Sequence, residues 1–272
     1  MIVDGRALQG VWLTELKKKR ERIDGEIVLG LLYQGADPAM RRFLCLKKAM
    51  ATSLAITVIE QECDVSASTN EVIIALEALQ ERVDGVVVQL PLSLQVDKDS
   101  VCAHITHMKD IDVLSPSRFK EIGQIDALVP PVVSAIKRIL TTHAIAIEKK
   151  KVVVVGEGML VGMPAKVWFE AMGATVLVVN KESRNTTEVL ADADILVLGA
   201  GVGHLVTPDM IKEGAVLLDA GTSEMNGMLV GDADPLCAKK ASLFTPVPGG
   251  IGPLTLTALF ENLLTSIAHQ RR

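Results

Sequence analysis

The chain has 272 residues, of which 49% are hydrophobic and 22% charged, with a formal net charge of −5; that length holds one large or two modest domains, and two is the preferred reading. The acidic balance argues against broad contact with a nucleic-acid backbone, and aromatics at 3% exclude base-stacking surfaces and leave an aliphatic core, which suits an α/β protein with parallel strands better than a β-sandwich. Cys45, Cys63, Cys102 and Cys237 are scattered without a C-x-x-C pair and read as reduced thiols of a cytoplasmic protein, while no run approaches the ~18 apolar residues of a membrane span and the start lacks a signal-peptide layout.

Residues 5–20 carry Leu8, Val11, Trp12 and Leu16 at helical spacing and end in the basic cluster Lys17–Arg20, read as a solvated helix end. Ile27–Tyr33 predicts a buried strand. Gly35-Ala36-Asp37-Pro38 then supplies a turn, an N-cap carboxylate and a first-turn proline for a helix over 38–53. On that helix Met40, Phe43, Leu44, Met50 and Ala51 mark the inward face, and Lys47 stands out of place among them. A short strand at Thr57–Ile59, a helix over Ser68–Arg82 capped near Thr69 or Asn70, and a buried strand Val86–Leu90 follow. The strand closes in Gln89-Leu90-Pro91, and strand ends are where ligands bind in open α/β sheets. His104 and His107 lack a third ligand partner, read as a partly exposed helix end, and receive no metal. Ser115–Ile125 reads as a crossover into the second domain, and Pro130-Pro131 opens a helix to about Thr142.

The stretch 151–180 reads strand, glycine turn, helix, strand. The run Val152–Val155 suits a strand buried on both faces; Gly156, Gly158 and Gly162 follow at once, and Pro164 opens a helical segment. Glycines let a backbone approach a pyrophosphate closely, and the first amides of the next helix point at the anion. The spacing G-x-G-x-x-x-G is one residue longer than the usual dinucleotide fingerprint. Beyond it come a strand at Ile195–Leu198, a turn at Gly199-Ala200-Gly201, a helical turn at Thr207–Lys212 and a strand at Val216–Leu218. Such repeated units predict a doubly wound sheet. Thr245–Thr255, TPVPGGIGPLT, makes a stiff loop before a helix to about His269.

Asp4-Gly5-Arg6, Gly35–Ala39, Val88–Leu92, Lys109–Asp112, Gly156–Pro164 and TPVPGGIGPLT occur in the order found in one family. Over nearly its whole length the chain resembles the bifunctional methylenetetrahydrofolate dehydrogenase/cyclohydrolases, in which the longer glycine spacing is normal. The resemblance implies an N-terminal α/β folate-binding catalytic domain (1–121), a doubly wound Rossmann-type dinucleotide-binding domain (122–251), and a C-terminal helix (252–272) returning to the first domain. It implies oxidation of 5,10-methylenetetrahydrofolate with NADP or NAD, then hydrolysis of the methenyl product to 10-formyltetrahydrofolate. The implied partners are tetrahydrofolate derivatives and a second copy in a cytoplasmic homodimer, with no nucleic acid, membrane or metal.

Carried over residue by residue, Lys47 matches the active-site lysine, Gln89 the glutamine that aligns it, and Asp112 the carboxylate that accepts hydrogen bonds from the pterin. Burial of a lysine lowers its pKa and lets it exchange protons near neutrality. Phe43, Pro91, Leu92, Gly249, Gly250 and Pro253 are implied at the substrate, and Gly156, Glu157, Gly158, Val161, Gly162, Pro164, Lys181 and Thr222 at the dinucleotide. Three positions depart from the family's pattern. Phe43 replaces the usual tyrosine, which makes a dehydrogenase without hydrolase activity the nearest rival. Val113 replaces a glycine, so a different backbone is expected there. Glu157 replaces an arginine or small polar residue and opens the choice of NAD over NADP. A non-catalytic dinucleotide- or folate-binding module and a shikimate-type dehydrogenase are the remaining alternatives.

Overall fold

A computed structural model describes residues 1–35 and 38–271; the expected N-cap at Asp37 and its neighbour Ala36 lie outside the described residues. The chain divides into two compact units, one of Trp12–Glu121 with Leu259–Arg272, the other of Met1–Val11 with Ile122–Ala258. Each is built on a parallel sheet of aliphatic strands, and helices α1 (Gly5–Arg20) and α9 (Ile251–Gln270) contribute to both.

In the unit that contains residues 12–121 the order along the chain is β1 (Val28–Gln34), α2 (Pro38–Ser53), β2 (Thr57–Cys63), α3 (Thr69–Gln80), β3 (Gly85–Val88), α4 (Lys98–Ala103) and α5 (Pro116–Phe119). The sheet runs β2-β1-β3, all parallel, with Leu29 opposite both Val58 and Gly85. The central strand β1 is buried except at its first residue, as its unbroken apolar sequence requires. At the edge, β2 runs to Cys63, beyond the expected Thr57–Ile59, because Glu60, Gln61 and Glu62 break the apolar run without ending the strand. Helix α3 is capped by Ser68, not by Thr69 or Asn70. The Ser68 hydroxyl accepts from the Glu71 amide while the Glu71 carboxylate accepts from the Ser68 amide, a reciprocal capping box. The crossover expected at 115–125 contains a helical turn, α5, which starts on a Ser115 cap and Pro116.

Two apolar expectations fail. Val11 on α1 is 59% exposed, whereas Trp12 and Leu16 are buried; Phe43 on α2 is 53% exposed, whereas Met40, Leu44, Met50 and Ala51 are buried. In each case the adjacent apolar residue occupies the core stripe, and a residue one position off it lies about 100° around the helix. Part of the basic end of α1 turns inward. Arg20 donates to the carbonyls of Ile23 and Gly25, and Lys19 to the Thr265 hydroxyl at 2.7 Å, so burial holds the Lys19 pKa below its usual value.

The second unit continues with α6 (Pro131–Thr142), β4 (Lys151–Val155), α7 (Gly162–Ala171), β5 (Thr175–Val179), α8 (Thr186–Ala191), β6 (Ile195–Leu198), β7 (Val216–Asp219), the hairpin β8 (Ser223–Met225) and β9 (Met228–Val230), and β10 (Leu243–Phe244). Its five-stranded sheet has the order β10-β7-β6-β4-β5, wholly parallel. The chain steps from β4 outward to β5 and then back across β4 to β6, so the order reverses between β4 and β6. That is the topological switch point of a doubly wound sheet, where ligands bind beyond the strand ends. One face of the sheet buries Val153, Val155, Leu196, Leu198, Leu217 and Phe244 in a single cluster.

The closing loop is shorter than expected, because α9 begins at Ile251 and takes Pro253 into its first turn. At 20 residues α9 is long and apolar enough to cross a membrane by length and composition, although no uninterrupted apolar run marks it. Its side chains are those of a core helix: Leu254, Ala258, Phe260, Leu263, Leu264 and Ile267 are all buried.

Candidate active site and dinucleotide loop

The first constellation lies at the C-terminal edge of the β2-β1-β3 sheet. Gln89 follows directly after β3, and its side-chain carbonyl accepts a hydrogen bond of 2.6 Å from Lys47 Nζ on α2. The other end of the Gln89 amide donates to the Leu90 carbonyl at 3.0 Å, which fixes which atom faces the lysine. Lys47 is half-buried between the core face of α2 and the exposed pair Phe43 and Leu46. Burial lowers its pKa, opposed by the negative charge of Asp112. Burial likewise pushes the Asp112 carboxyl up to about 6; Lys47 pulls it down and Asp110 adds to the rise. The lysine and the carboxylate therefore each sense the other's charge in a desolvated pocket. Burial thus disfavours the charged form of both groups, while each one's charge favours that of the other.

Asp112 is held by the loop that carries the Lys109–Asp112 motif, through bonds the motif itself does not reveal. Asp110, fully buried, accepts the amides of Leu114 at 3.1 Å and Ser115 at 2.7 Å and so ties the loop from below. Asn262 on α9 donates to the Ile111 carbonyl at 2.9 Å, and Ser266 donates to that of Met108. Val113, beside Asp112, stands at φ +59° with its side chain buried. The backbone there has the left-handed form that glycine adopts freely, and the valine carries the strain, at a cost of order 1–3 kcal/mol. A different backbone was the expectation; the structure keeps the glycine-like one.

Pro91 is exposed and Leu92 half-buried after a cis Leu90-Pro91 peptide. Gln34, buried at the end of β1, accepts the Ser93 amide at 2.9 Å and donates to the Asp64 carbonyl at 3.0 Å, clamping that loop. A polar residue ending a wholly apolar strand was the available signal for it. Of the two histidines, His104 ends α4 and His107 meets Glu121 at 2.8 Å.

The second constellation is made of backbone. Gly156 leaves β4 at φ +98°, and a Cβ on Gly162 would lie 2.0 Å from the Gly156 carbonyl oxygen. The loop therefore folds back on the first turn of α7 at a distance only glycine allows. Val161 packs against Gly199, which opens the loop after β6, so the turn sits at the switch point. No side chain caps the start of α7; the Met163 amide donates to the Gly158 carbonyl at 3.1 Å and Pro164 has no N–H, which leaves the Gly162 amide for an acceptor from outside the chain. Gly158 differs from its neighbours in that a Cβ there would meet nothing within 4 Å. Packing does not demand a glycine at that position, whereas a pyrophosphate lying against the backbone would. The residues present thus fit a dinucleotide.

Pro164 lies buried in the first turn of α7, and Glu157, Lys181 and Thr222 are exposed. Asn180, the first residue beyond β5, donates to the Glu157 carboxylate at 2.5 Å. Asp219 and Asp232, both buried, were missed by sequence reasoning. Asp232 accepts the amides of Ala200, Gly201 and Val202 and so shapes the loop after β6. Asp219 accepts those of Gly221, Asp232 and Ala233, yet burial still raises its pKa to about 6. In the same unit the closing motif meets the opening one, the Gly5 amide donating to the Gly249 carbonyl at 2.9 Å. Gly249 is half-buried at φ +107°, and Gly250 and Pro253 follow at the start of α9, buried and half-buried.

Comparison with known proteins gives the same division of roles. Residues 3–112 match the catalytic domain of tetrahydrofolate dehydrogenase/cyclohydrolase, and residues 130–271 its NAD(P)-binding domain. The chain is 35% identical over 275 residues to the bifunctional protein FolD of Aquifex aeolicus, covering 98% of this chain and 94% of that one. The crystal structure of the bifunctional enzyme FolD from Campylobacter jejuni superposes with a TM-score of 0.94 at 29% identity, covering 99% of each chain. That of the Trypanosoma brucei dehydrogenase-cyclohydrolase, complexed with NADP and an inhibitor, superposes with a TM-score of 0.93 at 29% identity, covering 100% of this chain and 98% of that one. With a catalytic domain that carries a desolvated lysine and an NAD(P)-binding domain built at a switch point, this chain belongs to the tetrahydrofolate dehydrogenase/cyclohydrolase family.

Proposed function

We propose that this protein carries out both steps of its family's chemistry, with Lys47, Gln89 and Asp112 as the residues that bind and handle protons on the folate. The observation that carries this reading is the 2.6 Å hydrogen bond between a half-buried Lys47 and Gln89, with Asp112 close enough to act on the lysine's charge.

The dinucleotide, when bound, supplies the hydride acceptor, and Gly156, Gly158, Val161, Gly162 and Pro164 would hold its phosphates, with Glu157, Lys181 and Thr222 around its riboses. The chain's share of the first step is orientation. Asp112 accepts hydrogen bonds from the amino group and ring N–H of the pterin, a fork that suits an ionised carboxylate, while Phe43, Pro91 and Leu92 line the rings. Gly249, Gly250 and Pro253 contribute from the closing motif.

In the second step water adds to the bridge carbon of the methenyl cation and loses a proton. The carbon–N5 bond then breaks as the remaining hydroxyl proton is exchanged for one on N5, giving 10-formyltetrahydrofolate and one released proton. Lys47, its pKa lowered by burial, is the group within the site that exchanges these protons, and Gln89 keeps its amine aligned. The domain roles are assigned accordingly: folate chemistry to 1–121 with the helix 252–272, dinucleotide binding to 122–251. The assignment to the cytoplasm rests on cysteines that are all free. The homodimer rests on the resemblance alone.

The test is Lys47→Ala. Hydrolysis of methenyltetrahydrofolate should fall by roughly 10²–10⁴-fold, the range of a lost general acid–base group, with hydride transfer retained in part. Equal loss of both activities would reduce the lysine to a structural residue. A wild-type hydrolysis rate no faster than the uncatalysed one would instead leave a dehydrogenase alone, the alternative raised by Phe43.

A further inference from the structure

In a dinucleotide-binding sheet the acid that recognises the adenosine ribose ordinarily stands at the end of the second strand, about 20 residues beyond the glycine turn. Here that strand is β5, and the residue beyond it is an amide, Asn180. Asn180 is nonetheless bonded to an acid. Its Nδ2 donates to Glu157 Oε1 at 2.5 Å, so the carboxylate arrives at the end of β5 from the glycine loop instead of from the strand.

The pair is fixed on both sides. The Asn180 Oδ1 accepts the Glu182 amide at 2.9 Å and the Ser183 hydroxyl at 3.2 Å, and the Asn180 amide donates to the Ser183 hydroxyl oxygen at 3.0 Å. With Oδ1 committed to a backbone N–H, the amide cannot flip, and Nδ2 must face Glu157. One carboxylate oxygen is used by this bond, and the Glu157 side chain is exposed beside the end of β5, the position from which a strand-borne acid ordinarily meets the ribose. A carboxylate is acceptor-only: it takes both hydroxyls of an unmodified ribose and repels a 2′-phosphate. Lys181 and Arg184 lie on the same turn, but both are exposed and are accompanied by Glu182. A mobile, screened side chain offsets a tethered charge poorly.

We infer that the Glu157–Asn180 pair selects NAD over NADP, Glu157 accepting from the ribose diol and Asn180 holding it in place; this rests on the reading of residues 156–164 as the dinucleotide cradle. Direct calorimetric titration of the full-length protein with NAD and with NADP tests it, with kcat/KM for methylenetetrahydrofolate oxidation measured alongside. The wild type should bind NAD roughly tenfold more tightly than NADP, or better. Glu157→Gln, which keeps the shape and the bond from Asn180, should bring the two within about threefold, and Glu157→Arg should reverse the order. Asn180→Ala should lower the preference by a smaller factor, by releasing the acid. Equal or tighter binding of NADP by the wild type, or an unchanged ratio in Glu157→Gln, overturns the inference alone. Failure of both dinucleotides to bind overturns the cradle beneath it as well.

Discussion

The two constellations are made of different materials. The first is made of side chains, Lys47 and Asp112 with pKa values shifted by burial and the neutral amide of Gln89, carried by α2, the end of β3 and the loop after α4. In the glycine loop the phosphate cradle resides in the backbone, and Gly156 and Gly162 matter by lacking side chains. A side-chain site tolerates conservative change around it but depends on each charge. The phosphate cradle depends on close backbone approach, which a single methyl group at Gly162 would block.

The largest expected effect tests the second half of that contrast. Gly162→Ala places a methyl 2.0 Å from the Gly156 carbonyl oxygen, so the loop or the helix must move. The protein should lose about 2–4 kcal/mol of stability in denaturant unfolding, and with it dinucleotide affinity. Gly158→Ala has no neighbour to strike. It should unfold like the wild type yet bind dinucleotide more weakly, by about tenfold. Equal stability for the two variants would show that close approach within the loop does not set its shape.

A smaller effect tests the side-chain site. Asp112 is held up at about 6, so in the free enzyme it is ionised above that pH and neutral below it. Only the ionised form accepts both pterin hydrogen bonds. With Asp112 in its proposed role, folate binding should be retained above about pH 6 and lost as pH falls through it, and kcat/KM for the folate should drop by about tenfold per pH unit below that point. Asp112→Asn should be slow throughout and lose this limb. A wild-type profile with no limb near pH 6 would mean that the carboxylate is not titrating in the free enzyme.

What the sequence revealed divides along the same line. The glycine turn, its flanking strands and the switch-point sheet follow from local rules, because a buried parallel strand and a close backbone approach each leave a residue-type pattern. Local rules showed Lys47 only as a charge on an apolar helix, and its role came from the resemblance. The roles of Asn262, Asp219 and Asp232 were not visible, since each acts on backbone amides or carbonyls far away in sequence, and an isolated Asp or Asn looks like a turn residue wherever it falls. The hairpin β8–β9 is different. Its Asn226-Gly227 turn, at φ +53° and +75°, carries one of the strongest short-range signals a sequence holds, and it was overlooked because the flanking strands are only 3 residues each and mostly exposed.

The smallest effect concerns Phe43, the departure closest to the catalytic lysine. It lies four residues before Lys47, on the same side of α2, and exposes half of its ring. A phenylalanine offers the folate rings a flat apolar face but no hydrogen bond. On the proposed mechanism the proton-handling work then falls on Lys47 and Gln89, joined by their 2.6 Å hydrogen bond. Phe43→Tyr restores a hydroxyl at an exposed position without disturbing the core. It should raise methenyl hydrolysis by no more than about threefold to tenfold and leave hydride transfer within about twofold, the scale of one neutral hydrogen bond. A gain of several hundredfold would show that Lys47 and Gln89 do not suffice and that the native chain is a dehydrogenase with a dormant hydrolase site. A loss of both activities would place the ring in the substrate's path, where its apolar edge is what the folate needs.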